Sequence, residues 1–163
     1  MAYNGQAYEG WQSQLSGRTV QDKLEKALGQ FTTQRISTLC AGRTDAGVHG
    51  LMQVVHFDTY AERPDASWVR GTNRFLPPDI AVQWARHMPA AFHCRANATA
   101  RRYAYVLLQS PVRPSVEAGR VVQVVEVRGI CWSHGTKVWY RHPSLHFARS
   151  ILCLCDSGEF EGA

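Results

Sequence analysis

The sequence predicts an α+β domain in which one sheet carries helices on one face. Strand-like segments of alternating or β-branched character are separated by two helix-like segments, in an order that lets each helix connect strands. The chain has 163 residues, 45% of them hydrophobic and 19% charged, which suffices for one domain with a buried core.

The first elements are a very short strand, a loop and a helix. The opening residues, AYNGQAYEGWQSQ, mix aromatics, glycine and amides without a period, which is typical of a loop. A helix is predicted in TVQDKLEKALGQF, where Thr19 can cap the first turn and Asp22 occupies the capping-box position. Its apolar residues share one face: Val20, Leu24, Ala27, Leu28 and Phe31.

The later elements follow the same criteria. A second helix is predicted over 65–77, where Pro77 and Pro78 stop it. Strands are predicted over 35–43, 51–59, 79–88, 99–109 and 119–127. After about Arg128 no period is sustained, and no element is predicted there.

Composition narrows the class of protein. No apolar run approaches the roughly 20 residues that a membrane helix needs, and the N-terminus lacks the features of a secretory signal. Five cysteines without a C-x-x-C pair argue against a disulfide framework or a zinc site and favour the cytoplasm. Residues 1–128 hold 15 Lys or Arg against 10 Asp or Glu, and 13 of those bases are arginine. This balance favours a polyanionic partner such as nucleic acid, although a merely soluble basic surface explains it equally well.

The segment AGRTDAGVHG, Ala41–Gly50, is the first candidate site. Its glycines permit a tight turn that can approach a ligand closely, and Arg43 stands two residues before Asp45. An ionised carboxylate in a cleft can act as nucleophile, general base or stabiliser of a cation. The alternative interpretation is an ordinary Asp-Gly turn with a surface ion pair.

The segment FHCRANATARRYAY, Phe92–Tyr105, is the second candidate site. Arg95, Arg101 and Arg102 lie in one segment with the aromatic residues Tyr103 and Tyr105, an arrangement that can hold phosphates and stack on bases. The alternative is a strand with a tyrosine face in the core and exposed arginines.

Cofactor motifs are absent from the sequence. His142 and His146 have metal-ligand spacing but flank Pro143 in the unpatterned tail, so a metal role is not predicted. Neither a phosphate loop nor a dinucleotide fingerprint occurs.

Five ordered blocks, covering about residues 2–122, resemble the tRNA pseudouridine synthases of the TruA type. They are YNGQAYEGWQSQ, RTVQDKLEKAL, AGRTDAGVHG with QVVHFDT, NRFLPPDIAV, and FHCRANATARRYAYVL. The resemblance implies a cytoplasmic, homodimeric enzyme without metal or organic cofactor, which isomerises uridine to pseudouridine in the tRNA anticodon stem-loop. It also implies a ferredoxin-like antiparallel sheet, similar to RNA-recognition domains, with helices on one face.

The resemblance also assigns residues. Asp45 corresponds to the catalytic aspartate and Arg43 to its neighbouring cation, while Tyr103 packs against the target base. The other residues expected to bind substrate lie in the matching blocks: Arg95, Arg101, Arg102, Gln12 and His49.

The chain departs from the family in its second half. Residues 1–128 are predicted to be the N-terminal catalytic domain, and residues 129–163 an aberrant or poorly ordered tail in place of the family's second domain. A shifted reading frame would produce such a tail. The alternative prediction is therefore a truncated, catalytically weak or inactive RNA-binding fragment, and a third is a fragment that does not fold stably.

Overall fold

A computed structural model describes residues 1–124, 137–141 and 149–156, the last two ranges by their backbone alone. The chain separates into two compact units, Met1–Ala98 and Thr99–Ala163. The domain boundary expected at residue 128 stays a prediction.

The first helix, α1, spans Val20–Thr32 and confirms the predicted one. The hydroxyl of Thr19 accepts a hydrogen bond from the amide of Asp22 at 3.3 Å, which satisfies one of the free amides of the first turn. The apolar face predicted from the spacing is buried, with Val20 fully inaccessible and Leu24 only 3% exposed.

The second helix, α2, spans Asp65–Asn73 and packs against α1 through aromatic side chains. Trp68 meets the rings of Phe31 and Phe57 at centroid distances of 5.4 Å, in edge-to-face geometry. Gly71 lies so close to Phe31 that a Cβ atom there would stand 2.1 Å from its ring. A glycine at this position therefore lets the two helices approach.

Four short strands complete the first unit. Strand β1, Ala2–Tyr3, pairs antiparallel with β4, Ile80–Ala81. Strand β2, Leu39–Cys40, pairs antiparallel with β3, Val55–His56.

Backbone hydrogen bonds outside the named strands connect these two pairs. Tyr3 and Gly50 exchange bonds of 2.8 and 3.1 Å, and the amide of Gln53 donates to the carbonyl of Met1 at 2.8 Å. Strand β1 therefore lies between β4 and the segment that leads into β3.

The predicted strands over 35–43, 51–59 and 79–88 are longer than the observed ones, and beside two of them side chains bond to the backbone. The amide of Thr38 donates to the Glu25 carboxylate at 2.7 Å rather than to a neighbouring strand. The backbone of Val82 exchanges two hydrogen bonds with the Asn73 side chain, at 2.7 and 2.9 Å. The first contact lies just before β2, and the second lies just after β4.

The core of the first unit lies between the helices and these strands. Its buried members come from both: Tyr3, Trp11, Val20, Leu24, Leu28, Ile36, Cys40, Trp68 and Ile80. The unit is thus a mixed α/β structure of small antiparallel sheets and two helices.

The second unit contains a four-stranded sheet in the order β6-β5-β8-β7. Strand β5, Arg102–Gln109, falls within the predicted strand at 99–109. It pairs parallel with β6, Val122–Val124, and antiparallel with β8, Arg149–Asp156. Strand β7, Lys137–Arg141, pairs antiparallel with β8. Two strands thus occur in the tail, where no element was predicted.

Among the residues that the structure describes, no helix has the length and apolar character required to cross a membrane.

Candidate active site

The segment Ala41–Gly50, here called the Asp45 loop, connects β2 to the stretch that pairs with β1. Its centre is a turn in which the amide of Val48 donates to the carbonyl of Asp45 at 3.2 Å. Gly47 occupies the third position of this turn with φ 78°, a left-handed conformation that favours glycine. The side chain of Asp45 at the start of the turn is exposed to solvent.

The residue before the aspartate is held by both its backbone and its side chain. The carbonyl of Thr44 accepts from the amide of Trp11 at 2.9 Å. Its hydroxyl lies 2.9 Å from the hydroxyl of Tyr3. Because Trp11 and Tyr3 are 1% and 4% exposed, Thr44 is anchored to the core while Asp45 stays accessible.

Two glycines of the N-terminal segment allow that segment to touch the Asp45 loop. Gly10 has φ 94°, and a Cβ atom there would stand 2.7 Å from the carbonyl oxygen of Thr44. A Cβ atom on Gly5 would stand 1.9 Å from the carbonyl oxygen of Val48. Neither position has room for a side chain unless the loop moves.

Two of the predicted site arginines act on the same buried thiol. Burial raises the pKa of Cys40, and the positive charges of Arg95 and Arg43 counteract part of that rise. Arg95, from the second candidate segment, and Arg43, on the Asp45 loop, therefore both act electrostatically on Cys40. Both arginines are themselves exposed.

The segment that carries Arg95 is attached to β2 and β3. The amide of Cys94 donates to Nδ1 of His56 at 3.3 Å, and the Cys94 thiol donates to the carbonyl of Leu39 at 3.3 Å. The rings of His56 and His93 are 5.1 Å apart. These contacts hold the start of the arginine-rich segment beside the strand that precedes the Asp45 loop.

Gln12 and His49 occupy different places. Gln12 is exposed, and its Nε2 donates to Oε1 of the buried Gln21 on α1 at 3.0 Å. His49 is half-buried, and its Nδ1 accepts from the amide of Gly5 at 3.3 Å. His49 thus takes part in joining the Asp45 loop to the N-terminal segment.

The surface ion pair considered between Arg43 and Asp45 does not occur in the structure. Within the part of the chain that is described, ion pairs join Arg18 to Glu9 and His87 to Asp65. No three His, Cys, Asp or Glu side chains among those described are grouped as a metal ion would require. His142 and His146 lie outside the described residues.

The remaining predicted residues belong to the second unit. Arg102 and Tyr103 are the first two residues of β5, and Arg101 comes directly before the strand. Tyr103 is 44% exposed and shares a face of β5 with Tyr105, which is 58% exposed. The alternative in which the tyrosine face belongs to the core is therefore wrong for these two rings.

Four residues that take part in holding the Asp45 loop were not predicted from the sequence: Tyr3, Gly10, Trp11 and Thr44. Each lies in a block quoted above, yet no local pattern links Tyr3 to a hydroxyl 41 residues later in the chain.

Comparison with known proteins provides independent information. A family model for tRNA pseudouridine synthase matches residues 1–96, a range that includes the Asp45 loop and Arg95. Among curated relatives, the chain is similar to the proteins named tRNA pseudouridine synthase A of Delftia acidovorans, Polaromonas sp. and Albidiferax ferrireducens. The identities over 121 residues, 74% of this chain, are 78%, 75% and 69% respectively.

The chain spans less than half the length of these relatives. The matched region covers 43% of the Delftia protein and 46% of each of the other two.

Proposed function

Because the chain belongs to the tRNA pseudouridine synthase family, we propose that it isomerises uridine to pseudouridine in the anticodon stem-loop of tRNA, with Asp45 acting at the ribose. The observation that carries this proposal is the match of the family model across the whole Asp45 loop. Asp45 is exposed there, and Thr44, the residue before it in the loop, is anchored to the core.

The chemistry requires an anion close to the ribose. The glycosidic C1′–N1 bond of uridine breaks, the uracil turns, and its C5 bonds to C1′ before the proton on C5 is lost. Breaking the bond builds positive charge at C1′, which a carboxylate stabilises. Asp45 either adds to C1′ covalently or removes the 2′ proton to give a glycal, and both routes remain open.

The arginines and Tyr103 are proposed to bind the RNA. Arg43 and Arg95 both lie close enough to Cys40 to affect its pKa, which supports a shared role in contacting phosphates near the reacting nucleotide. Arg101 and Arg102 are also proposed to contact phosphates, and Gln12 and His49 are proposed as further contacts to the RNA. Tyr103 would stack on the uracil and hold it while it turns, once the nucleotide has flipped out of the stem. The exposure of its ring supports this role.

The remaining features of the proposal concern architecture and location. We propose the ferredoxin-like arrangement for the first unit. The order β1, α1, β2, β3, α2, β4 supports it, as do the hydrogen bonds that place β1 between β4 and the segment entering β3. A homodimer acting in the cytoplasm, without cofactor, is part of the same proposal.

Release of tritium from tRNA that contains [5-³H]uridine tests the reaction directly, because C5 loses its hydrogen when it bonds to C1′. We expect release by the unaltered chain and none by Asp45→Ala. Asp58→Ala, an exposed aspartate beyond β3, is the matched control and should keep the unaltered rate. Absence of release from the unaltered chain, or full release from Asp45→Ala, would contradict the proposal.

The second candidate is an RNA-binding fragment with little or no activity. Its support is the length of the chain, which is less than half that of its relatives. When tritium release is absent, binding of tRNA measured between about 50 and 200 mM salt separates an RNA-binding fragment from a chain that does not fold stably. A fragment that binds RNA shows affinity that falls with salt, and Arg101→Ala should reduce the slope by about one unit. A chain that does not fold stably shows neither binding nor a cooperative unfolding transition.

A further inference from the structure

The hydroxyl of Tyr3 is a buried polar group joined to the Asp45 loop. The Tyr3 residue is 4% exposed, and its ring lies against Gly50, where a Cβ atom would stand 2.5 Å from it. The hydroxyl lies 2.9 Å from Oγ1 of Thr44 and 3.5 Å from Nε2 of Gln53. Burial raises the pKa of Tyr3, so the hydroxyl stays protonated and can donate to Thr44.

Gln53 forms a second contact with the Asp45 loop, at the residue that precedes Arg43. Its Nε2 also donates to the carbonyl of Gly42 at 2.5 Å. Its backbone exchanges hydrogen bonds of 2.8 Å with Met1, two residues before Tyr3. Gly42 and Thr44, the two neighbours of Arg43, are therefore both bonded to side chains anchored on β1 or on the segment paired with it.

We propose that Tyr3 is a positioning residue that sets the place of the Asp45 carboxylate by holding Thr44. The inference rests on the proposed function, because it concerns the geometry of the residue expected to act at C1′. Tyr3 does not touch the substrate in this proposal. Its buried hydroxyl fixes the side chain of Thr44, while the amide of Trp11 fixes the Thr44 carbonyl at 2.9 Å. Asp45 follows as the next residue, so a displacement of Thr44 carries over to its carboxylate.

Small displacements at such a position have large effects on rate. A misplacement of about 1 Å can cost about 100-fold in rate, because the reacting groups no longer meet at the required distance. Substrate binding depends on many other contacts and is affected far less. The removal of the Tyr3 hydroxyl should therefore lower kcat and leave KM nearly unchanged.

The test compares Tyr3→Phe with Tyr8→Phe in the full chain. Tyr8 is also buried, and its hydroxyl donates to Asp79 at 2.7 Å, so the control removes one buried tyrosine hydroxyl elsewhere. We expect Tyr3→Phe to lower kcat for tritium release about 5- to 50-fold with KM within about twofold, and Tyr8→Phe to keep kcat within about twofold. Equal kcat values for the two variants would overturn the proposal.

Substitutions at Thr44 test the route of the effect. Thr44→Val should lower kcat as Tyr3→Phe does. Thr44→Ser, which retains the hydroxyl, should keep most of the kcat of the unaltered chain. The double variant of Tyr3→Phe with Thr44→Val should be no slower than the slower single variant, because both remove one contact. Multiplying losses would mean that Tyr3 acts by another route.

Amide hydrogen exchange tests the same contact without activity. The amide of Trp11 bonds to Thr44, and the amide of Val48 bonds to Asp45. Both should exchange at least several-fold faster in Tyr3→Phe and unchanged in Tyr8→Phe. Unchanged exchange at Trp11 overturns the positioning role whether or not the chain is active. A chain without tritium release but with faster exchange contradicts the proposed function and leaves Tyr3 as the residue that holds the loop.

Discussion

Substitution of Gly10 by alanine tests whether the N-terminal segment and the Asp45 loop pack as described. Gly10 has φ 94°, and its added Cβ atom would meet the Thr44 carbonyl oxygen at 2.7 Å and the Asp45 carbonyl carbon at 3.2 Å. Both obstacles are backbone atoms, which cannot rotate away as a flexible side chain can. Gly17 has φ 64° and nothing within 4 Å of its added Cβ atom, so it is a control that isolates the cost of conformation.

The two substitutions should differ by the energy of the steric clash. A left-handed conformation costs a non-glycine residue about 1–2 kcal/mol, and both variants carry this cost. The clash in Gly10→Ala adds about 1–3 kcal/mol, as forced overpacking does elsewhere. We therefore expect Gly10→Ala to lower the free energy of unfolding by about 2–5 kcal/mol and Gly17→Ala by about 1–2 kcal/mol.

Urea unfolding followed by tryptophan fluorescence measures the difference, because Trp11 is in the core. With a slope of about 1–3 kcal/mol per molar urea, the midpoint of Gly10→Ala should lie about 1 M below that of Gly17→Ala. Tritium release should also fall in Gly10→Ala by at least about tenfold, since relief of the clash moves Thr44 and Asp45. Coincident midpoints and equal release rates for the two variants would refute the packing of these segments.

Three further predictions concern the fold of the first unit. Thr19→Ala removes the cap of α1 and should lower the urea midpoint by an amount equivalent to about 1 kcal/mol; an unchanged midpoint would contradict the capping role. Trp68→Ala leaves a cavity beside Phe31 and should cost about 3–5 kcal/mol by calorimetry, and a loss below about 1 kcal/mol would argue against this packing. Burial and the hydrogen bond to Asp79 raise the pKa of Tyr8 above its usual value of 10.0. Above about pH 10 the unfolded chain therefore holds fewer protons at this site than the folded chain does. The free energy of unfolding should decline as the pH rises, and it should decline less steeply in Tyr8→Phe. Parallel declines in the two proteins would argue against Tyr8 as a cause of the pH dependence.

The helices were predictable because their signals are local. The spacing of Val20, Leu24 and Leu28 and the cap at Thr19 lie within one segment, and α1 begins and ends within a residue of the prediction. The strands were predicted too long, because their ends depend on partners elsewhere in the chain. No property of residues 35–43 indicates that the amide of Thr38 bonds to Glu25 on α1.

The sequence indicates candidate site residues, whose roles stay predictions, but it does not indicate the contacts that hold them. The glycines and charges of Ala41–Gly50 mark a loop that can carry chemistry, and the resemblance selects Asp45 within it. The support comes from Tyr3 and Gly10, which contact Thr44 across separations of 41 and 34 residues. A single sequence carries no signal of such pairs, since each of these residues is also common in loops and strands for other reasons.

Among the described residues, the contacts that hold the Asp45 loop include those of Tyr3, Gly10, Trp11 and Gln53, all within the first 53 residues of the chain. The longer relatives have a further part with no counterpart in the matched region. The resembled family has its second domain there, and we expect that domain to form a second wall over the aspartate and exclude water. In this chain Asp45 is exposed, so its charge acts through water.

The exposure of Asp45 predicts that this chain reacts more slowly than a relative whose aspartate is covered, and that both reactions depend on the aspartate. Opposite charges about 4 Å apart attract by about 1 kcal/mol in water and about 4 kcal/mol at an effective dielectric constant of about 20. The difference of about 3 kcal/mol corresponds to a rate about 100-fold lower than that of a relative with a covered site. Single-turnover tritium release at saturating tRNA, compared with the Delftia acidovorans protein, measures this ratio. Equal rates would mean that a second wall contributes nothing to the field of Asp45, and a rate that Asp45→Ala leaves unchanged would mean that another group stabilises C1′.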